Sequence, residues 1–268
     1  GSGKGKVVSL PSEYKNEMEI LHAELMESIA EGDEELLEKY LDAGLLTEEE
    51  MRTGLKKGVQ SGELIPVFCG SATLNMGVDL LIRGIVDYLP SPDKHATVKA
   101  RLAKNGVETE CKLDENSPLA AQVFKTIADP YAGKLTLFRV YSGVLKSDSN
   151  VYNSSQSTAE RVGQIFALQG KKQMQVSEVS AGDFGAVAKL KITGTGDTLT
   201  VQDKGVIFDP IKFPLPVLAR AIVPKARGDE EKISASLHRL TDEDPTLKVE
   251  RNPQTHELLI SGLGQVHL

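Results

Sequence analysis

Apolar residues recur every three or four positions near the start of the chain, a period that predicts amphipathic helices. The first helix is expected from Ser12 to Glu31, and Gly32 is expected to end it. Five residues form its apolar face: Tyr14, Met18, Leu21, Leu25 and Ile29. A helix with this pattern normally buries the apolar face and leaves the polar face in water.

Two further helices are predicted from residues that satisfy the unpaired amides of a helix start. Asp33 can cap a second helix, which is expected to stop at Gly44. Thr47 and Glu50 have the spacing of a capping box, in which each side chain accepts from the backbone of the other. The third helix is therefore expected to begin after Thr47 and to run through Gln60.

An apolar run changes into small residues within Leu64–Thr73, where Gly70, Ser71 and Ala72 follow one another. A helix is predicted over Val78–Leu89. This order predicts a strand, a turn and a helix, which places backbone N–H groups at the carboxyl edge of a sheet, where α/β proteins bind ligands. These three small residues are the candidate cofactor-binding residues of the chain.

The pattern changes to that of β-strands after Pro90 and Pro92, which cannot continue a helix and mark a domain boundary. Asn105-Gly106 between two short strands predicts a hairpin. Beyond Pro118, evenly spaced short strands separated by turns are typical of a closed β-barrel. The expected barrel strands are Ala120–Ile127, Leu135–Tyr141, Arg161–Leu168 and Gly185–Leu190.

A third region begins near Pro214 and has the order strand, helix, strand, strand. These elements are expected over Val217–Val223, Asp229–Leu240, Leu247–Arg251 and Glu257–Ser261. The order is most of a ferredoxin-like α+β unit, whose second helix and fourth strand would follow. The chain is therefore interpreted as a piece of a longer protein, and this part is expected to be only marginally stable.

Composition describes an ordinary globular protein: 268 residues, 40% hydrophobic and 26% charged. The two cysteines, Cys69 and Cys111, lack a CxxC spacing, which favours a reducing compartment such as the cytoplasm and argues against a structural zinc site. The five histidines show no metal-ligand spacing: His22, His95, His238, His256 and His267. No metal site and no membrane span are expected.

Charge is unevenly distributed along the chain, whose net charge is −7. The segment from Glu13 to Glu50 holds 14 acidic and 2 basic residues, so the remainder is mildly basic. This pattern suggests one surface that faces protein and one that faces RNA, although a solvated helical surface explains the acidic part equally well. The acidic groups Asp42, Glu48–Glu50 and Asp242–Asp244 are expected to be solvated rather than catalytic.

The sequence lacks the elements that hold nucleotide phosphates and magnesium. A P-loop requires a glycine, four residues and then Gly-Lys-Ser/Thr, whereas Gly1-Ser-Gly-Lys-Gly-Lys6 breaks that spacing and is interpreted as a linker. Neither Asp-x-x-Gly nor Asn-Lys-x-Asp occurs. The chain itself is therefore not expected to hydrolyse GTP, and no catalytic residue is assigned.

Two motifs in the first region resemble the end of the GTPase domain of bacterial elongation factor G: Val67-Phe-Cys-Gly-Ser-Ala72 and Val86-Asp-Tyr-Leu-Pro-Ser-Pro92. In that family the Ser-Ala pair is the fifth guanine-nucleotide motif, and its backbone helps to bind the guanine. The resemblance implies that Gly70, Ser71 and Ala72 contact GTP or GDP in a full-length parent, with magnesium held by residues absent here. The helices of residues 33–50 are similar to the family's helical insertion.

The later regions resemble the second and third domains of the same family. The segments that carry this likeness are Asp129–Gly143, Val179–Val187, Thr195–Leu199, Asp242–Thr246 and Ile260–Leu268. Gly143, Asp183 and Asp197 are expected to have structural roles in turns. Two segments, 168–173 and 225–229, look more like the paralogous second form of the factor.

The predicted fold class is therefore multi-domain: the end of a P-loop GTPase domain with a helical insertion (1–92), a translation-factor β-barrel with a leading linker (93–213), and a truncated ferredoxin-like α+β domain (214–268). The resemblance implies a part of a ribosome-dependent GTPase that promotes translocation of tRNA and mRNA. Its expected partners are small-subunit rRNA at the barrel and ribosomal stalk proteins at the acidic helices, and it is expected to be a monomer. Arg139 is a candidate rRNA contact, with a surface ion pair as the alternative.

Two alternatives stay open from the sequence. A recycling or ribosomal-protection factor has the same architecture, and nothing in these residues separates those activities from translocation. A free-standing interaction module without nucleotide chemistry explains the missing P-loop and uses the acidic helices to hold a protein partner.

Overall fold

The structure, a computed structural model, describes residues 8–95, 97–129, 133–201, 205–224, 226 and 228–268. Within these residues, short 3₁₀ segments lie at Ser12–Tyr14 and Pro92–His95. The same part of the chain contains five α-helices: α1 (Lys15–Glu31), α2 (Glu34–Ala43), α3 (Glu48–Ser61), α4 (Val78–Tyr88) and α5 (Glu230–Glu243).

Sixteen strands occur in the described residues. They are β1 (Thr97–Leu102), β2 (Glu108–Lys112), β3 (Ala120–Asp129), β4 (Gly133–Ser142), β5 (Val144–Lys146), β6 (Asn150–Asn153), β7 (Thr158–Arg161), β8 (Ile165–Gln169), β9 (Lys172–Val176), β10 (Glu178–Ser180), β11 (Phe184–Ala188), β12 (Thr198–Thr200), β13 (Val206–Ile207), β14 (Leu218–Ile222), β15 (Lys248–Arg251) and β16 (Leu258–Gly262).

The chain divides into two compact units, residues 1–91 and 92–268. The first contains α1 to α4, and the second contains all the strands and α5. The three-domain limits expected from sequence remain predictions. The Gly1–Lys6 segment, interpreted as a linker, lies outside the described residues.

The predicted helix caps in the first unit are confirmed. The Asp33 carboxylate accepts from the amides of Glu35 and Leu36 at 3.1 and 3.3 Å, and α2 ends at Gly44, whose φ is 69°. At α3 the Thr47 hydroxyl accepts from the Glu50 amide at 3.3 Å, and the Glu50 carboxylate accepts from the Thr47 amide at 3.0 Å. The capping box is therefore complete.

The capping box gives α3 a start that depends on pH. The pKa of the Glu50 carboxyl is lowered to about 2. The largest cause is the hydrogen bond from the Lys39 ammonium at 2.8 Å, and hydrogen bonds from the Thr47 amide and hydroxyl lower the pKa further. A carboxyl with a lowered folded pKa stabilises the fold above its unfolded pKa and loses that contribution as pH falls through the folded pKa. Between about pH 4.5 and 2 the first turn of α3 should therefore open.

Amide hydrogen exchange over residues 47–53 tests this expectation, because opening of the turn accelerates exchange. In Glu50→Ala, the amides of residues 47–53 should already have at pH 7 the low protection against exchange that the unchanged chain shows in acid. Glu49→Ala is the matched control, since Glu49 makes no capping hydrogen bond in the described structure and should leave exchange unchanged. Equal protection in the two variants would refute a capping role for Glu50.

The apolar face predicted for the first helix is buried only at its end. Ile29 is 1% exposed and packs with Leu36 and Leu46, whereas Met18 and Leu21 remain about half exposed. The tight approach of α1 to α3 explains this local core, because Gly54 leaves room for the Ile29 side chain at the crossing. The predicted helix is confirmed, and only the C-terminal end of its apolar face is buried in the described chain.

The strand predicted over the apolar part of Leu64–Thr73 is also wrong. Residues 64–70 form no ladder with any described strand, and Ile65 and Val67 are 83% and 86% exposed. A parallel strand is stable only when neighbours pair its backbone and cover its faces. The local apolar pattern was therefore insufficient to form a strand here.

The second unit begins with the predicted hairpin. β1 and β2 pair antiparallel, with Arg101 opposite Glu108, and Gly106 in the turn has a φ of 71°. The short strand β13 adds to the other side of β1. This three-stranded sheet packs against Ala120 and Phe208 in a small apolar cluster.

Eight strands of the second unit form one sheet in the order β7-β6-β12-β3-β4-β11-β8-β9. Their inner faces surround one core whose fully buried members include Phe138, Val140 and Ile165. The pair β5–β10 bridges the two ends of the sheet, since the Ser147 amide donates to the Ser177 carbonyl and the Asp148 amide donates to the Gly163 carbonyl. The strands therefore close around the core in the predicted barrel.

Some strand limits differ from the prediction. The expected strand Arg161–Leu168 is two elements, β7 and β8, because the chain turns at Val162–Gln164 so that the buried Val162 can enter the core. Strands β5, β6 and β9 were not predicted; each has five residues or fewer, too short to show a period. Gly143 has the expected positive φ, 71°, and the Asp197 carboxylate accepts from the Gly194 amide at 2.9 Å in its turn.

The last elements of the second unit form the predicted strand-helix-strand-strand pattern. The sheet order is β14-β16-β15, antiparallel throughout, with α5 between β14 and β15 in sequence. In this arrangement β16 lies between the two strands that α5 connects, as in a split β-α-β unit. Leu237 of α5 is buried.

The acidic triplet Asp242–Asp244 is in contact with solvent, as expected, at Asp242 and Asp244, whose side chains are 56% and 41% exposed. Each carboxylate of the triplet also has a partner in the protein. The Glu243 carboxylate accepts from the Ala128 amide of β3, and the Asp242 carboxylate lies 3.7 Å from the Lys134 ammonium. The Asp244 carboxylate accepts from His267 Nε2 at 3.0 Å. Each carboxylate has a different partner because α5 ends where the barrel edge and the residue 262–268 segment come together, which sequence spacing cannot show.

Candidate functional site

The turn that carries Gly70, Ser71 and Ala72 is closed by its own backbone. The Ser71 amide donates to the Met76 carbonyl at 2.9 Å, and the Met76 amide donates back at 3.0 Å. Gly70 is required for this closure, because a Cβ there would lie 2.8 Å from the Met76 carbonyl oxygen. Ala72 is exposed, and its N–H donates to no described acceptor.

The Ser71 hydroxyl fixes the tip of the turn. It accepts from the Leu74 amide at 3.3 Å and lies 3.3 Å from the Thr73 hydroxyl oxygen. Asn75 and Gly77 have positive φ, which allows the chain to enter α4 directly after the turn. Of the three predicted residues, Ser71 has its amide and hydroxyl engaged within the turn, whereas the exposed Gly70 and Ala72 each have an amide that donates to no described acceptor.

The barrel region has more basic than acidic residues, and most of its cations have no ion pair with a described residue. Between Pro118 and Gln202 there are nine basic and six acidic residues. The acidic side chains are engaged within the protein: Asp129 with Gln173, Asp148 with Arg161, Glu160 with the 191–193 backbone, Glu178 with Lys146, Asp183 with the Phe184 amide, and Asp197 with Asn153.

Six barrel cations have no ion pair with any described residue. They are Lys125, Arg139, Lys171, Lys172, Lys189 and Lys191. Because the carboxylates are occupied, these cations are available to an anionic partner, and phosphate is the anion that such surfaces meet in nucleic acids.

Glu160 shows how firmly one of these carboxylates is held. It accepts from the amides of Lys191, Ile192 and Thr193 at 2.7 to 3.0 Å and from the Thr193 hydroxyl. Burial raises the pKa of the Glu160 carboxyl, but these four donors together outweigh burial and lower it. The carboxylate therefore stays ionised at neutral pH and holds the loop that presents Lys189 and Lys191.

Arg139 makes no ion pair with a described residue, so the structure gives no support to its alternative role in a surface ion pair. Its guanidinium lies over the Tyr141 ring, 5.3 Å from the centroid. Tyr141 in turn packs on Phe208, with ring centroids 4.9 Å apart. The aromatic contact positions the guanidinium without neutralising its charge.

Two exposed aromatic residues beside Arg139 were missed by the sequence analysis. Phe124 and Phe184 are 40% and 54% exposed, and their rings meet edge to face at 6.5 Å. The available signal was the alternation in β3, where Val123 points into the core and the next residue is a phenylalanine in the outward phase.

Helices α1 and α3, which belong to the acidic part of the chain, line a cleft on the surface of the first unit. Its lining combines apolar side chains from α1 and α3 with the carboxylates of Glu48 and Glu49, and Tyr88 of α4 lies at one side. Arg52 at the same cleft is 3.1 Å from the Asp87 carboxylate and is therefore neutralised. The cleft suits a partner that carries basic groups.

No group of three or more His, Cys, Asp or Glu side chains suited to a metal ion occurs in the described part of the chain. Cys69 is exposed and Cys111 is buried, and both are free thiols. Among the described helices, none has the length and apolar character needed to cross a membrane.

Two regions of the chain match models of known protein families. Residues 118–202 match the family model of elongation factor G domain 2, and residues 213–268 match that of elongation factor G domain III. A crystal structure of a protein from Thermus thermophilus is similar over 100% of this chain, with 31% sequence identity and a TM-score of 0.77. This chain spans 38% of the length of that protein.

Proposed function

Because the chain belongs to the elongation factor G family, we propose that it is part of a ribosome-dependent translational GTPase that promotes movement of tRNA and mRNA during protein synthesis. In this proposal the chain supplies ribosome docking and coupling between domains, and the parent protein supplies GTP hydrolysis. The observation that carries the proposal is the barrel of elongation factor G domain 2 with six unpaired surface cations among its described residues.

GTP or GDP with magnesium is the cofactor of the proposed parent. The residues here fit a limited part in binding it, because the exposed Ala72 amide can donate to a guanine base while Gly70 and Ser71 hold the turn. The phosphate-binding motifs do not occur in this sequence. The role of this chain is therefore to orient one edge of the base.

The two charged surfaces support two kinds of contact. The unpaired barrel cations favour the phosphates of small-subunit rRNA. The acidic cleft of the helical unit favours basic side chains on a partner. The resemblance of these helices to the family's helical insertion supports a position near the ribosomal stalk proteins. Contacts between Asp242, Glu243 and the barrel edge hold α5 close to the barrel and suit a coupling role.

The test uses the full-length parent with pre-translocation ribosomes and GTP, and measures the position of the ribosome on mRNA by toeprinting. We expect an advance of one codon. Ribosome-stimulated GTP hydrolysis without an advance would instead favour a recycling or protection factor. Absence of any ribosome response would favour the interaction-module alternative.

Two matched variants of the parent connect the activity to the barrel. Lys171→Gln removes an unpaired cation, whereas Lys146→Gln removes a cation that Glu178 faces at 4.0 Å. Only the first should raise the factor concentration needed for half-maximal GTP hydrolysis, and its effect should shrink at high salt. An equal effect of both would argue against docking through the unpaired cations.

A further inference from the structure

The outer face of β3, β4 and β11 carries three side chains that together form a platform: Phe124, Phe184 and Arg139. Arg139 stands opposite Phe184 across the β4–β11 ladder. The two phenylalanine rings meet edge to face at 83°, so the exposed face of one ring is bordered by the edge of the other. This combination of open ring faces and a cation is unusual for a surface that meets only water.

Exposure of these rings is a consequence of the strand geometry. Phe124 follows the inward Val123, and the bulge of β3 between Val123 and Lys125 leaves both Phe124 and Lys125 exposed. Phe184 is the first residue of β11, and its amide is held by the Asp183 carboxylate at 2.8 Å. Both phenylalanines therefore lie on strands of the barrel sheet with their rings exposed.

The charge of the platform is positive and available. Arg139 is half-buried, is oriented by the Tyr141 ring, and has no ion pair among the described residues. Lys125, which follows Phe124, also has no ion pair there. The nearest acidic neighbour in sequence, Asp183, is engaged with the Phe184 amide.

We propose that this platform binds an unpaired RNA nucleotide, with the base stacked on Phe184 and the phosphate held by Arg139. The inference rests on the proposed function and deepens it, because it distinguishes a single-stranded nucleotide from the phosphates of a duplex. Bases within a duplex are already stacked and cannot lie on a protein ring, whereas a base in a loop or bulge can. Aromatic side chains beside a cation bind bases of any sequence in this way.

The test measures binding of the 268-residue chain to a fluorescein-labelled single-stranded RNA of about 12 nucleotides, within the site sizes of such proteins, by fluorescence anisotropy at low salt. An RNA duplex and an abasic ribose-phosphate strand of the same length are the comparison probes. We expect Phe184→Ala to weaken single-strand binding by about tenfold and Phe184→Tyr to retain it. Duplex and abasic binding should change less than about twofold in both variants, since neither probe offers a base to stack.

Arg139→Gln should weaken the binding of all three probes. The slope of affinity against salt concentration should fall by the equivalent of about one phosphate contact. Two variants elsewhere on the barrel serve as controls. Arg161→Gln removes one charge from a residue that pairs with Asp148, and Met174→Ala removes an apolar side chain that is 48% exposed. Neither control should change single-strand binding by more than about twofold, and circular dichroism checks that every variant is folded.

Three results would overturn the platform: no binding of the single strand, equal binding of the single and abasic strands, or the same loss in Phe184→Ala as in Met174→Ala. The proposed function would survive each of them if the parent still advances the ribosome by one codon, and docking would then use another face of the barrel. If single-strand binding is as expected but the parent gives no ribosome response, the platform stands and the proposed function fails.

Discussion

Replacing Gly143 with alanine is expected to lower the free energy of unfolding of the barrel by about 2–5 kcal/mol. Gly143 has a φ of 71°, where an L side chain is strained. An added Cβ would also lie 2.7 Å from the Leu119 amide nitrogen and 2.7 Å from the Ser117 carbonyl oxygen. Both neighbours are backbone atoms, so the clash cannot be relieved by a side-chain rotation.

Gly106→Ala is the matched control for Gly143→Ala. Gly106 has the same φ, 71°, but an added Cβ would meet no atom within 4 Å. Its substitution should cost only the backbone strain, about 1–2 kcal/mol. Urea denaturation followed by circular dichroism measures both, and equal losses of stability would mean that the close approach to Leu119 contributes nothing.

Truncation of Phe138 to alanine is expected to destabilise the barrel by about 3–5 kcal/mol. Phe138 is fully buried at the centre of the barrel core, where it neighbours Gly185 and the β3 residue Val123. Loss of its ring removes apolar surface from the core and leaves a cavity, and the closed sheet can collapse only partly around it.

Phe184→Ala is the comparison, since it removes the same ring from a position that is 54% exposed on the same barrel. Its loss should cost less than about 1 kcal/mol, mainly the contact with Phe124. Urea denaturation, with hydrogen exchange over β3 and β4, measures the two variants. A loss below about 1 kcal/mol for Phe138→Ala would mean that the core is not packed as described.

Local signals in the sequence predicted the elements that depend on neighbours in the chain. Asp33 and the Thr47–Glu50 pair satisfy amides two or three residues away, and Gly106 meets the geometry of its own turn. Such contacts need no distant partner, so their residues can be recognised in any globular chain. The spacing of short strands and turns predicted the barrel class, which the match to elongation factor G domain 2 confirms, but not which strands pair.

Elements that depend on distant partners could not be predicted in this way. The apolar run before Gly70 has the composition of a strand, but a strand requires a paired neighbour, and residues 64–70 have none among the described residues. The same limit applies to α1, where only Ile29 of the predicted face finds the close approach that Gly54 permits. Composition shows which residues can be buried, and contacts decide which are.

The same distinction between local signals and distant contacts applies to the candidate sites. The sequence alone determined the family, the missing phosphate motifs and the uneven charge, because these are properties of residue identity and order. Only the tertiary structure decided that the Gly70 and Ala72 amides donate to no described acceptor, that the barrel carboxylates are occupied while six described cations are not, and that Phe124, Phe184 and Arg139 share one face. Pairing between strands distant in sequence brings these groups together, and no local pattern records that pairing.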